Sequence, residues 1–180
     1  MKLPQLEHIL RAAAAITGAD RFVVIGSQSI LGQFPDSPPE LLVSMEADLY
    51  SLRTSRDADL IDGSIGETSP FHSTFGYYAH GVGEETAILP AGWKERLIPL
   101  HSPSTGGATG LCLEVHDLAI SKLVAGREKD TLFIRTLLHH HLADPDILRQ
   151  RLAETSLPPA LSTPCTARLE AMLRPQRGQE

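Results

Sequence analysis

Four consecutive apolar residues, Phe22-Val23-Val24-Ile25, run directly into Gly26-Ser27. The run is apolar throughout, so it reads as a central, buried strand. Gly26-Ser27 is a small-residue turn into a short helix that carries Ser29, Ile30 and Leu31 and ends by Gly32 and Phe34. A proline loop, Pro35-Asp36-Ser37-Pro38-Pro39, follows. The next segment, Leu41 to Tyr50, alternates cleanly. Leu41, Val43, Met45, Ala47 and Leu49 face one way, and Leu42, Ser44, Glu46, Asp48 and Tyr50 the other. Residues two apart on a strand are separated by roughly 6.5–7 Å, so Glu46 and Asp48 can reach one metal cluster. A helix N-terminus facing a carboxylate pair suits a triphosphate and its magnesium ions.

The rest of the chain reads as follows. Pro4 opens a helix with the stripe Leu6, Ile9, Leu10, Ala13 and Ala14, closed by Gly18. Arg56 to Ile65 is a helix with Leu60 and Ile61 on its buried side. Ser69-Pro70-Phe71 opens a short helical turn. Tyr77–Val82 and Thr86–Leu89 read as strands, and Arg96–Leu100 and Leu111–Val115 as an antiparallel pair. The remainder is helical. Asp117 caps a helix through Val124, Gly126 breaks it, and Glu128–His141 is the next. Asp144-Pro145 starts a third, Pro158-Pro159 ends it, and a last helix near Cys165–Leu173 precedes a frayed tail. The expected class is α+β, with a core over 1–115 and a C-terminal helical subdomain over 116–180.

A length of 180 residues suits one domain with a small helical appendage, enough to bury a core without staples. The net charge of −6 argues against a broad nucleic-acid surface, though it leaves room for a local basic patch. Cys112 and Cys165 are far apart without metal spacing, and read as reduced and buried in a cytoplasmic protein. The N-terminus lacks a signal peptide's features, and no apolar run is long enough to span a membrane.

Phosphoryl-type transfer needs positioned phosphates, metal ions and an aligned nucleophile more than covalent help. Gly26-Ser27 offers backbone N–H groups and a hydroxyl, and Glu46 and Asp48 offer metal ligands. Taken singly, Gly26-Ser27 also fits a plain strand-to-helix turn, and the two acids a solvated strand face. In this order, the segments resemble the DNA polymerase beta-like nucleotidyltransferase superfamily. Within it the chain is most similar to small bacterial nucleotidyltransferase-like proteins of unknown function, relatives of the AbiEii and MenT toxins. Four segments carry the resemblance: Gly26-Ser27-Gln28-Ser29-Ile30-Leu31-Gly32, Glu46-Ala47-Asp48-Leu49, Leu89–Leu97, and Asp117–Asp130 with its Lys122-Leu123-Val124-Ala125-Gly126-Arg127-Glu128-Lys129-Asp130 stretch.

The resemblance implies a mixed-sheet nucleotidyltransferase core and gives the residues roles. Gly26 and Ser27 would bind nucleotide, with Ser27 on the β- or γ-phosphate. Glu46 and Asp48 would bind Mg2+. Lys122 would approach the phosphates with Arg127 nearby, and Asp130 would assist the acceptor or hold Lys122. It also implies a nucleoside triphosphate substrate, an acceptor hydroxyl on RNA, protein or a small molecule, and a toxin role with an antitoxin partner. The chain departs from the family pattern in three ways. Glu46 stands where Asp is usual. The Ser27-to-Glu46 gap is long. The third carboxylate's strand carries His80, with Glu84 and Glu85 just beyond as substitutes.

Other candidates read differently. Lys122 is equally a solvated lysine and Asp130 equally a helix cap. Arg127 and Lys129 supply phosphate-binding charge or mere surface. His139-His140-His141 cannot share one ion on a regular helix, because neighbours point about 100° apart, and it reads as a helix end. Trp93 anchors a turn. His116-Asp117 lacks the elbow of a hydrolase, and Walker and Rossmann motifs are absent. Two further readings remain open: a catalytically degenerate module that binds nucleotide or protein, and a structural scaffold.

Overall fold

The computed structural model describes residues 1–174; the expected frayed tail beyond Arg174 lies outside them. The chain is an α+β structure built on a five-stranded mixed sheet. Helix α1 (Leu3–Thr17) carries a proline in its first turn and ends at Gly18, whose φ of 71° is the left-handed cap that glycine adopts cheaply. Strand β1 (Arg21–Val24) is central, with Phe22, Val23 and Val24 all buried. It lies antiparallel to β2 (Glu46–Ser51) and parallel to β5 (Thr109–Cys112). The edges are β3 (Tyr78–Gly81), parallel to β2, and β4 (Ile98–Leu100), antiparallel to β5.

Register determines which face carries which side chains. Gly81, Leu49, Val24 and Cys112 form one cross-strand row, and Gly110 lies two residues before Cys112. That face takes the helices. Leu10 of α1 packs where a Cβ on Gly110 would stand, Gly32 of α2 (Ile30–Gln33) abuts Cys112, and Ala58 of α3 (Asp57–Ile65) abuts Gly81. Glu46, Asp48, Tyr50 and His80 lie on the opposite face.

Helix α4 (Pro70–Phe75) is capped by Ser69, whose Oγ accepts from the His72 N–H at 3.1 Å. After β5 come α5 (Val115–Ala125), α6 (Glu128–His139), α7 (Pro145–Ala153) and α8 (Pro159–Leu173). Helix α5 is buried on nearly every side and packs against α6, α7 and α8, and also against α2 and the 3-10 turn Ser27–Ser29. Among the described residues, no helix is long and apolar enough to cross a membrane. Both cysteines are free thiols and buried.

Several local expectations are corrected. Residues 41–45 are not strand: a 3-10 turn covers Pro39–Leu41 and β2 begins only at Glu46. Val43 is 76% exposed, because no neighbouring strand pairs with it. Thr86–Leu89 is not a strand either, as a 3-10 turn spans Glu84–Thr86. Leu60 is 48% exposed, and Asp57, Ile61 and Ile65 form the buried side of α3. Glu114, not Asp117, caps α5, its carboxylate accepting from the His116 N–H at 3.0 Å and the Asp117 N–H at 3.4 Å. Asp117 is buried instead, accepting from Arg96 Nε at 2.8 Å and facing Arg151 at 3.3 Å. Pro158 caps α8 rather than ending α7, which stops at Ala153.

Candidate active site

Strand β1 ends at Val24, and the Ile25 N–H still donates to the Asp48 carbonyl at 3.0 Å. That bond keeps Gly26 alongside Asp48 on β2. A Cβ on Gly26 would stand 2.0 Å from Asp48 Oδ2, so the missing side chain is the space the carboxylate occupies. Glycine is therefore required here by close approach; its φ of −76° is open to any residue. Ser27 then begins the 3-10 turn leading into α2. The turn is braced by Gln28, whose Nε2 donates to the Ser44 carbonyl at 3.0 Å.

Glu46 and Asp48 share a face of β2, as their spacing of two requires, and both are half-buried. His80 of β3 is directly opposite Asp48 in the parallel register. Its Nδ1 lies 3.0 Å from Glu46 Oε1 and 3.2 Å from Asp48 Oδ1. One ligand atom from each of the three lies within 4.8 Å of the others. These donors fit a divalent cation: metal–ligand bonds of about 2.1 Å at 90–110° give ligand–ligand edges of about 3.0–3.4 Å. The Glu46 carboxyl is raised, first by burial and then by the Asp48 charge. Burial alone would lower the His80 imidazole, but Asp48, Asp62 and Glu46 outweigh it and the net shift is upward.

His80 thus stands beside the acids on the sheet face they share. Glu84 is engaged elsewhere, in an ion pair with Lys94 at 2.7 Å. Glu85 folds its carboxylate back over Gly83.

Lys122 reaches the site from α5. Its Nζ donates to Ser27 Oγ at 2.8 Å and to Asp130 Oδ1 at 3.4 Å, and lies 4.4 Å from the centre of the Phe133 ring. The side chain is 8% exposed, so the solvated alternative is set aside. Burial lowers its pKa, and Asp130 opposes that shift. Asp130 is fully buried and also accepts from Arg127 Nε at 2.6 Å. Its carboxyl is held below the usual range: burial opposes this, but Arg127 and Lys122 prevail. Asp130 also accepts from the Arg127 N–H at 3.3 Å, so cap and ion-pair partner are one residue. The Arg127 guanidinium is 61% exposed and feels the charges of Asp48 and Glu46.

Gly26, Ser27, Glu46, Asp48, Lys122, Arg127 and Asp130 are therefore gathered at one end of the sheet. Phe133 was not anticipated. It lies on the buried stripe Asp130, Phe133, Ile134 and Leu137 of α6, so the helical period held the signal. His116 does not pair with Asp117: its Nδ1 meets Glu114 Oε1 at 2.7 Å and its Nε2 accepts from the Asp144 N–H. Trp93 is half-buried against the core, beside a cavity of about 470 Å³ lined by Glu84, Glu85, Ala87 and Leu89.

A serine at a strand-to-helix turn, a buried lysine bonded to it, and a two-carboxylate, one-imidazole cluster make up a site suited to phosphate and metal. The chain belongs to the family described as nucleotidyltransferase of unknown function (DUF6036), which matches residues 4–164. Neither a curated protein nor a solved structure matches the chain.

Proposed function

We propose that the protein transfers a nucleotidyl group from a nucleoside triphosphate to an acceptor hydroxyl. The observation that carries the reading is the 2.8 Å bond between Lys122 Nζ and Ser27 Oγ. It holds a buried cation at the turn whose glycine packs against the metal-binding carboxylate Asp48.

Ser27 and Lys122 bind the β- and γ-phosphates. The lysine's charge is worth more in this partly dry site than in water. Asp130 holds Lys122 in place, and Arg127 adds exposed positive charge at the mouth. Glu46, Asp48 and His80 would hold a divalent ion, Mg2+ or a first-row dication of similar size, whose charge would offset that of the phosphates. The acceptor oxygen bonds to the α-phosphorus as the bond from that phosphorus to the bridging oxygen of pyrophosphate breaks; pyrophosphate departs and the hydroxyl proton passes to water. The β2–β3 pairing keeps the three ligands together and the β1–β2 pairing keeps them in register with the Ser27 turn, so alignment rather than covalent catalysis supplies the rate.

The proposal extends to a cytoplasmic toxin that modifies RNA, a protein side chain or a small molecule and is held in check by an antitoxin. Its support is the resemblance of the Gly26–Gly32, Glu46–Leu49, Leu89–Leu97 and Asp117–Asp130 segments to small nucleotidyltransferase-like proteins related to such toxins. Growth arrest on expression that Asp48→Ala abolishes is the expected result.

A second reading is favoured by His80 standing where an acid would complete the set: a degenerate module that binds nucleotide or a partner without turnover. Calorimetry with each ribonucleoside triphosphate, with and without Mg2+, tests both readings on the wild type and Asp48→Ala. Metal-dependent binding lost in the variant, followed by label transfer from an α-labelled triphosphate, is the expected result. Metal-independent binding without transfer supports the second reading. Failure of every triphosphate to bind overturns both nucleotide readings.

A further inference from the structure

The metal-assisted reading above says that Glu46, Asp48 and His80 hold a cation; the inference here rests on it and concerns which cation. Mg2+ is a hard ion that binds carboxylate and phosphate oxygens, keeps several waters and has little use for imidazole. Imidazole suits first-row transition ions such as Zn2+ and Fe2+, which also take carboxylate oxygen; Mn2+ stands lowest in that series and nearest Mg2+ in its taste for carboxylate and water, so it is the most stringent ion to set against Mg2+. In this site one of three protein donors is a ring nitrogen. Its position follows from the backbone, because His80 pairs with Asp48 in the β2–β3 register.

The ring presents Nδ1 to both carboxylates, at 3.0 and 3.2 Å, the edge lengths expected around one ion. The side chain is 50% exposed. A neutral ring can therefore keep its proton on Nε2 toward solvent while Nδ1 offers its lone pair. The two carboxylates are also partly open, which leaves coordination positions for water or a phosphate oxygen. We propose that Glu46, Asp48 and His80 form a site that selects a first-row transition dication over Mg2+, a preference that holds even for Mn2+, the most Mg2+-like of the series.

The rival arrangement has the same distances: a protonated His80 donating to both acids, in place of an ion. The two differ in what happens when metal is added. Binding is read from the free Mn2+ electron paramagnetic resonance signal, on the full chain without nucleotide and with Mg2+ as competitor. Imidazole NMR follows in parallel. The expected result is one Mn2+ per chain, with Mg2+ displacing it only at an excess of about tenfold or more, each tenfold being about 1.4 kcal/mol. The His80 ring signals broaden at substoichiometric Mn2+, while those of His139, His140 and His141 stay sharp. His80→Ala weakens Mn2+ binding by about 10- to 100-fold or more, since even outer partners of a ligand command that much. His80→Asp, which restores an all-oxygen set, keeps metal binding but loses the Mn2+ preference. Circular dichroism of both variants shows the fold intact, as His80 is half-exposed.

Equal competition by Mg2+ in the wild type overturns the proposal. So does Mn2+ affinity that is indifferent to His80→Ala, broadening confined to the 139–141 tract, or no binding of either ion. The nucleotidyltransferase reading stands or falls separately. Transfer that runs equally with Mg2+ and ignores His80→Ala keeps that reading and removes this proposal. Mn2+ bound at His80 with no triphosphate bound in any metal keeps this proposal and removes that reading.

Discussion

The buried pair Lys122–Asp130 makes an asymmetric prediction. Among the described residues, Asp130 has two cationic partners, Lys122 Nζ at 3.4 Å and the Arg127 fork at 2.6 and 3.2 Å. Lys122→Met replaces a buried cation by an apolar chain of similar length and leaves Asp130 bonded to Arg127. The cost is the lost bonds to Ser27 and Asp130 less the desolvation no longer suffered by the ammonium, a net of about 1 kcal/mol. Asp130→Asn keeps an oxygen for the Arg127 N–H cap but removes the anion that, among the described residues, is bonded to a lysine 8% exposed. Breaking a buried pair this way costs about 3–5 kcal/mol, and the remaining Ser27 and Phe133 contacts put the value near the lower end, about 3 kcal/mol.

Urea unfolding at pH 7 reads both variants. In a thermal melt alongside, a domain of this size shows a melting temperature lower by about 2–4 °C for Lys122→Met and about 6–12 °C for Asp130→Asn. The sign with pH follows from the lysine. Burial lowers its folded-state pKa below the unfolded value, and losing Asp130 lowers it further. The unfolded chain then binds more protons, so stability rises with pH between the folded pKa and the unfolded value of about 10.4. The deficit of Asp130→Asn is full below the folded pKa and shrinks as pH rises toward 10. A Lys122→Met variant that is as destabilised as Asp130→Asn, or a deficit that does not shrink with pH, refutes the reasoning.

Three further outcomes are expected. Gly81→Ala places a Cβ 2.2 Å from the Ala58 carbonyl oxygen, a backbone atom that cannot swing aside, and lowers unfolding free energy by about 2–3 kcal/mol; a loss below about 0.5 kcal/mol would mean β3 and α3 are farther apart. His80 titrates above its ordinary value, so its ion-pair contribution is complete below the unfolded pKa of about 6.5 and lost as pH rises through the folded pKa; Asp48→Asn brings the NMR titration down, and an unmoved midpoint contradicts the contact. Burial pushes the Cys112 thiol up to about 12, so a disulfide reagent at pH 8 labels it only on unfolding, and rapid native labelling would show that the β5–α2 contact opens.

Local pattern carried much of the framework. The apolar run Phe22–Ile25 marks the central strand, since only a strand covered on both faces excludes polar residues over such a span. Gly18 and Gly126 mark helix ends because each takes a left-handed φ. The spacing of two between Glu46 and Asp48 places them on one face wherever the strand begins. The same alternation misled upstream. Leu41 to Met45 has the period of a strand, but a strand needs a partner, and β1 and β3 run out before reaching it. Glu114 caps α5 although Asp117 is the better capping residue by type, because burial beside Arg96 and Arg151 claims Asp117 instead.

By itself, the sequence determined the α+β class, the strand-turn-helix at Gly26-Ser27, and the pairing of two acids on one strand face, all consequences of contacts within a few residues. Tertiary structure alone decided that His80 stands opposite Asp48, that Lys122 meets Ser27 across 95 positions, and that Gly26 is glycine to make room for a carboxylate. Those depend on which strands pair, in what register, and on how α5 is pressed against the sheet's end. Such choices are made by the packing of the whole core, where a one-residue slip of register would turn His80 to the other face.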